Sequence, residues 1–192
     1  MKLNRAFATT WGLLAALVLS TPSPASADDY TIDPAHTSVA FRVNHGGFAS
    51  IYGLFQDVSG KFSVDAQDPS ASEFDVTIKV DSIRTGVDKR DQHLKSPDFF
   101  NAAQFPTIRF VSKSASKEGD GLKVEGDLTL HGETKPVTLV LTGGKVGEFP
   151  KGTARTGYDA TATIKLSDFG MDGMGALGDE VVIMIGFEGT KS

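Results

Sequence analysis

The side chains in this sequence best suited to acid–base chemistry lie in two short segments. Asp33, His36 and Ser38 supply the carboxylate, imidazole and hydroxyl groups that nucleophilic hydrolysis uses. Asp91 and His93 form a second carboxylate–imidazole combination. Neither segment contains the G-x-S-x-G turn that exposes a catalytic serine, and neighbouring side chains on an extended segment alternate between faces. The sequence therefore predicts no catalytic residues.

The histidines are also poorly spaced for a local metal site. His36, His45, His93 and His131 occupy four separate segments and form no H-x-x-x-H or H-x-H pair. A zinc site would have to assemble from distant parts of the chain. We therefore predict no metal ligands, and we expect each histidine to form hydrogen bonds at a strand end or in a loop.

Two glycine- and aspartate-rich motifs near the C-terminus resemble cofactor and calcium sites. Residues 173–178 match the dinucleotide fingerprint, but these glycines lead into a predicted strand instead of a helix. Asp168, Asp172 and Asp179 have the spacing of a calcium loop, yet Gly170 stands where a further oxygen ligand is required. We therefore predict ordinary loops here and no cofactor.

The first 27 residues have the organisation of a secretory signal peptide. Lys2 and Arg5 precede a short apolar stretch, 11–19, which is followed by Ala25-Ser26-Ala27. A positive start, a short apolar core and an Ala-x-Ala exit are typical of such a peptide, and the apolar core is shorter than the roughly 20 residues that cross a bilayer. We predict cleavage after Ala27, which makes the protein periplasmic or secreted and leaves residues 28–192 as one domain.

Composition narrows the function classes for this domain. Removal of Lys2 and Arg5 changes the net charge from −5 to −7. An acidic protein is unsuited to binding nucleic acid, which is itself negatively charged. The chain contains no cysteine, which excludes thiol redox chemistry and cysteine-ligated metals. We also predict no transmembrane segment in the mature protein, because its apolar runs are short.

Apolar and polar residues alternate along most of the mature chain. This period-2 pattern is typical of antiparallel strands with one buried and one exposed face. Eight strands are predicted, around Val39–Val43, Gly60–Asp65, Phe74–Val80, Ile108–Lys113, Leu122–Leu130, Val137–Leu141, Tyr158–Leu166 and Val181–Phe187. Helical character is confined to His45–Tyr52 and Asp88–Lys95. The pattern predicts an all-β sandwich or an up-and-down barrel.

Small residues within two of these strands bear on whether a barrel would be hollow. Gly126 lies at the centre of one inward row, and Ala160 and Ala162 lie at the centre of another. Such residues leave space along the axis, unless a large phenylalanine from an opposite strand fills it. The spacing leaves both alternatives open.

Several ordered blocks resemble the YceI-like family of lipid- and polyisoprenoid-binding proteins. The resemblance covers Tyr30 to Glu188, and the blocks that carry it are residues 32–41, 82–101, 105–110, 126–132 and 167–171. It implies an extended, eight-stranded, lipocalin-like antiparallel barrel with one or two short helices. It also implies a bacterial periplasmic or secreted protein whose apolar pore holds a polyisoprenoid or a fatty-chain amphiphile.

The implied pore identifies candidate ligand-binding residues on the strands. An apolar chain can be held by burial alone, without a strong polar contact. The candidates share an inward position in the alternation, although each is equally compatible with an ordinary core. They are Phe41, Val76, Ile78, Val124, Leu128, Ala160, Ala162, Ile164 and Ile183.

Arg90 and His93 are candidates for the mouth of the pore. Both lie in the predicted helix Asp88–Lys95, where they would contact a polar or phosphorylated head group. The structural alternative is that an Arg90–Asp91 pair fixes the helix and its loop across the barrel mouth, and charged helices are commonly just solvated surfaces.

Three functions are compatible with these observations. The first is a carrier, store or sequestering protein for a long-chain lipid or isoprenoid. The second is a filled barrel with a structural or stress-related interaction role, and the third is an enzyme acting on a lipid. The resemblance favours the first, with no catalysis. The sequence does not determine the oligomeric state, and a homodimer is compatible with it.

Overall fold

The computed structural model describes residues 27–65, 67–171 and 175–192. The predicted signal peptide therefore lies almost entirely outside the described residues. The β strands are listed here in chain order: β1 Asp28–Ile32, β2 Ser38–His45, β3 Ala49–Phe55, β4 Val58–Val64, β5 Glu73–Lys79, β6 Ile83–Arg84, β7 Thr107–Glu118, β8 Gly121–Leu130, β9 Glu133–Gly143, β10 Gly147–Glu148, β11 Ala154–Lys165 and β12 Leu177–Lys191. One α-helix, α1, spans Asp88–Lys95, as predicted.

The strands form a closed antiparallel barrel with eight strand positions, which we call staves. Each stave is either one long strand or two consecutive strands. Three staves are each made of two consecutive strands, namely β1 with β2, β3 with β4, and β5 with β6; the others are β7, β8, β9, β11 and β12. Every stave pairs with its neighbour in the chain. The last stave, β12, pairs with both β1 and β2 and closes the ring. The predicted eight-stranded barrel is therefore confirmed.

The helical character predicted for His45–Tyr52 is wrong. This segment is a hairpin in which β2 ends at His45 and β3 begins at Ala49. The alternation of β3 is hidden because its inward position 53 is a glycine, and a Cβ there would lie 2.2 Å from Cζ of Phe41. The outward Tyr52 is also aromatic and 60% exposed, so neither face of β3 shows the usual contrast.

Helix α1 lies beside β6 at one end of the barrel. Asp88 occupies its first turn, where a negative charge complements the helix dipole. The helix ends at Lys95, and Ser96 has extended backbone angles, as expected of a residue that precedes proline. This position brings the charged helix to the rim of an otherwise apolar interior.

Candidate ligand-binding cavity

The barrel interior contains a cavity of about 470 Å³. All eight staves contribute side chains to its wall, and most of these side chains are aliphatic or aromatic. The volume falls within the range of roughly 300–1,000 Å³ that small-molecule sites occupy. The barrel is therefore hollow.

The two rows of small residues lie in different surroundings. A Cβ on Gly126 would lie 2.6 Å from Cζ of Phe110, so this ring already fills the space that the glycine leaves. Ala160 and Ala162, in contrast, border the cavity. The space beside Gly126 is therefore filled by a phenylalanine ring, whereas the space beside the alanines of β11 is part of the cavity.

Most of the residues predicted to line the pore do lie on the cavity wall. These are Phe41, Val76, Ile78, Leu128, Ala160, Ala162, Ile164 and Ile183. Val124 is the exception: its side chain is completely buried but lies outside the cavity lining. It is two residues from Gly126, where the Phe110 ring packs, and this part of β8 is solid core. The contact of these residues with a ligand stays a prediction.

The cavity meets solvent at the end of the barrel that carries α1. His45, His93, Gly175 and Ala176 border the cavity and are also exposed. We call this region the mouth. It is bounded by the β2–β3 hairpin, by the segment before β12 and by α1.

Arg90 and Asp91 do not form the direct pair that was considered from the sequence; both bind Thr85. The Arg90 Nε donates to Thr85 Oγ1 and its Nη2 donates to the Thr85 carbonyl, each at 2.7 Å. The buried Asp91 carboxylate accepts from the Thr85 backbone N–H at 2.9 Å and from its hydroxyl at 2.5 Å. This network fixes α1 to the segment after β6 and holds Arg90 at the cavity wall.

His93 is the more accessible of the two predicted mouth residues. Its side chain is 58% exposed, and its Nε2 lies 3.2 Å from the Oδ2 of Asp98. Its ring also makes an edge contact with Phe99, with 4.7 Å between ring centroids. These contacts place His93 on the rim of the mouth.

The opposite end of the barrel is closed by five packed rings, which we call the aromatic plug: Tyr30, Phe62, Phe74, Tyr158 and Phe187. Phe62 lies at its centre, with 5.2 Å to Tyr30, 5.8 Å to Phe74 and 5.2 Å to Phe187 between ring centroids. Burial raises the pKa of the Tyr30 and Tyr158 hydroxyls. Sequence reasoning missed the plug, since its rings come from five different strands and meet only after the barrel closes.

The Asp33–His36 combination is outside the cavity lining. His36 Nδ1 lies 2.9 Å from Asp33 Oδ2, and Arg155 Nη1 donates to the same oxygen at 2.7 Å and to Glu188 Oε2 at 3.0 Å. The hydrogen bonds from His36 and Arg155 lower the pKa of Asp33 to about 2. The cluster ties the β1–β2 junction to β11 and β12.

Other polar residues singled out in the sequence also have structural contacts. Asp179 accepts from the Ser167 backbone N–H at 2.8 Å and hydroxyl at 2.9 Å, which lowers its pKa and anchors the turn before β12. Asp172 and Gly173 lie outside the described residues. His131, in the β8–β9 turn, packs its ring edge against Phe105.

Two further observations concern only the described parts of the chain. Within 27–65, 67–171 and 175–192, no three His, Asp or Glu side chains come together in a way that would hold a metal ion. No helix in these ranges is long and apolar enough to cross a membrane.

Known proteins resemble this chain in both sequence and structure. The YceI-like domain matches residues 30–189. Protein YceI of Salmonella arizonae is 42% identical over 183 residues, which covers 94% of this chain and 96% of the relative. The YceI protein of Campylobacter jejuni superimposes with a TM-score of 0.69 at 30% identity, covering 76% of this chain and 87% of the other.

A third similarity is one of fold, at low sequence identity. A polyisoprenoid-binding domain from Saccharophagus degradans, implicated in plant cell wall breakdown, superimposes with a TM-score of 0.66 at 17% identity. The match covers 85% of this chain and 98% of that domain. The sequence match over nearly the whole barrel shows that this chain belongs to the YceI-like family.

Proposed function

We propose that this chain is an exported, periplasmic or secreted protein that holds one polyisoprenoid or other long-chain amphiphilic lipid for transport, storage or sequestration. The observation that carries the proposal is the apolar cavity, which has its polar side chains gathered at the mouth: His45, Thr85, Arg90 and His93. Among the described residues, Thr37 is the remaining polar side chain on the wall, and its hydroxyl donates to the Asp33 carbonyl at 2.8 Å. A long apolar chain satisfies such a wall, and a polar head group can stay at the rim.

Burial of the chain supplies enough free energy for useful binding. Transfer of each methylene from water contributes about 0.8 kcal/mol before the costs of association. A larger ligand retains roughly 0.3 kcal/mol per heavy atom after those costs. About 25 buried carbons would then give roughly 7–8 kcal/mol, which corresponds to micromolar affinity. The name of the Saccharophagus degradans domain supports an isoprenoid as the chain.

The two alternative functions are less well supported. An enzyme would need an acid–base group presented to the ligand, but Arg90 and Asp91 are both engaged by Thr85. His93 lies on the exposed rim, with its Nε2 3.2 Å from Asp98 Oδ2. A filled barrel with only an interaction role does not explain a cavity of about 470 Å³. We therefore propose that the protein binds its ligand without turnover and that it requires no cofactor.

Organic-solvent extraction followed by mass spectrometry tests the binding proposal. The protein should be expressed as the full chain in its natural compartment, purified without detergent and extracted. We expect a long-chain species in near-stoichiometric amount, unchanged after prolonged incubation with the protein. A clean blank from protein purified in this way would contradict the proposal, and conversion of the extracted lipid into a product would favour the enzyme.

Export is tested separately. Since β1 begins at Asp28, cleavage after Ala27 would leave every described strand intact. We expect the periplasmic or secreted fraction to contain protein with Asp28 at its N-terminus. Accumulation of the uncleaved chain in the cytoplasm would contradict this part of the proposal.

A further inference from the structure

We propose that Phe74 and Phe187 form a floor that limits the length of the bound chain, so that the site selects ligands by the length of their apolar tail. This inference rests on the proposed lipid-binding function. Of the five rings in the aromatic plug, these two border the cavity. Their ring centroids are 6.4 Å apart and their planes are nearly perpendicular, at 89°. The cavity therefore ends against ring surfaces.

The floor is firmly supported from behind. Phe62 stacks on Phe74, with 5° between the ring planes, and presents its edge to Phe187. Tyr158 stacks on Phe187, with 5.8 Å between centroids. Close-packed interiors resist volume changes of even one methylene. A ligand tail that reaches the floor would have to disrupt this packing to go deeper.

The wall between the floor and the mouth is a regular series of levels. The β11–β12 register pairs Tyr158 with Phe187, then Ala160 with Ile185, Ala162 with Ile183 and Ile164 with Val181. Successive levels are two residues apart, about 7 Å along the strand and roughly 5 Å along the axis of a barrel whose strands tilt by about 40°. Each level is therefore comparable in length to one isoprene unit.

The same arrangement defines the ligand class. The floor is apolar and closed, so the end of the ligand that reaches it must be an uncharged tail. The polar group must remain at the mouth, beside Arg90 and His93, where the cavity meets solvent. A cavity of about 470 Å³ suits one chain per barrel.

The test is a binding series with prenyl alcohols of increasing numbers of isoprene units, measured on ligand-stripped protein. Each additional buried unit is expected to raise the affinity about tenfold, until the tail meets the floor and the gain stops. Ala160→Leu fills the level next to the floor and should shorten this limit by about one unit. Phe187→Ala opens the floor and should lengthen the limit by at least one unit.

Val124→Ala is the matched control. It removes buried volume near the same end of the barrel but outside the cavity lining, so the limit should not move. Ala160→Leu leaves the aromatic plug intact and keeps the test informative if Phe187→Ala fails to fold. An unchanged limit in folded Ala160→Leu would overturn the floor, whereas absence of binding by the wild-type protein to every alcohol would overturn the proposed function itself.

Discussion

The two ends of this barrel are built in different ways. At the closed end, five rings pack against one another and are shielded from water. At the mouth, the Arg90 and Asp91 side chains of the helix hydrogen-bond to Thr85, and several wall residues are exposed. Packing of large rings contributes more to the free energy of unfolding than exposed polar contacts do. Stability is thus concentrated at one end, and access to the cavity at the other.

The largest effect on stability is expected from the plug. Phe62→Ala removes the central ring, and we expect a loss of about 3–5 kcal/mol in the free energy of unfolding, measured with urea. Phe100→Ala is the matched change at the mouth. The half-buried ring of Phe100 packs against Phe55, with 5.9 Å between ring centroids. This substitution should cost less than half as much, since the site is partly open to solvent. Equal losses would show that stability is evenly distributed.

A smaller effect is expected from the hydrogen bonds of the mouth. Asp91→Ala leaves the Thr85 N–H without its acceptor, which should cost about 1–3 kcal/mol and speed hydrogen exchange in α1. Asp98→Ala is the control on the same rim, because its exposed carboxylate contacts only His93 among the residues that the structure describes. That change should stay within about 0.5 kcal/mol. If α1 in Asp91→Ala remains as protected against hydrogen exchange as in the wild-type protein, the Thr85 network does not hold the helix.

The cluster formed by Asp33, His36, Arg155 and Glu188 predicts a pH dependence of stability. The pKa of Asp33 is lowered from 3.8 to about 2 in the folded protein, so its ionised form is favoured by folding. The stabilisation is therefore complete above about pH 4 and is lost as the pH falls through about 2. We expect Asp33→Asn to flatten the decline of the melting temperature in this window and to leave the slope near neutral pH unchanged. An identical decline in both proteins would contradict the role of Asp33.

The smallest effect is expected for His93→Ala. The side chain is more than half exposed, so the free energy of unfolding should change by less than about 0.5 kcal/mol. Retention of the apolar chain should also be nearly unchanged, because its affinity comes from the wall. Loss of the bound lipid from this variant would instead identify His93 as a head-group ligand.

The parts of the fold that were predictable are those with a simple local pattern. Alternation located most of the strands, and the charged segment before Pro97 located α1 with its observed bounds. Strand β3 was missed because Gly53 leaves its inward position to the Phe41 ring. The alternation of apolar and polar residues that marks a strand was therefore absent from its sequence.

The candidate site was only partly predictable for a related reason. Inward alternation identifies side chains that are buried, but it does not distinguish a cavity wall from packed core. Ala160 and Val124 both occupy inward positions, but Ala160 borders the cavity and Val124 does not. The aromatic plug and the Thr85 network depend on contacts between distant segments, which one strand's pattern cannot reveal.

Native mass spectrometry of the wild-type protein beside Ala162→Phe tests most directly whether the cavity holds one lipid chain. Ala162 borders the middle of the cavity, where a phenylalanine ring would occupy the space of the chain without disturbing the plug. We predict one long-chain adduct per wild-type protein and little or none on folded Ala162→Phe. Unliganded wild-type protein, or equal adducts on both proteins, would contradict the binding of a lipid chain in this cavity.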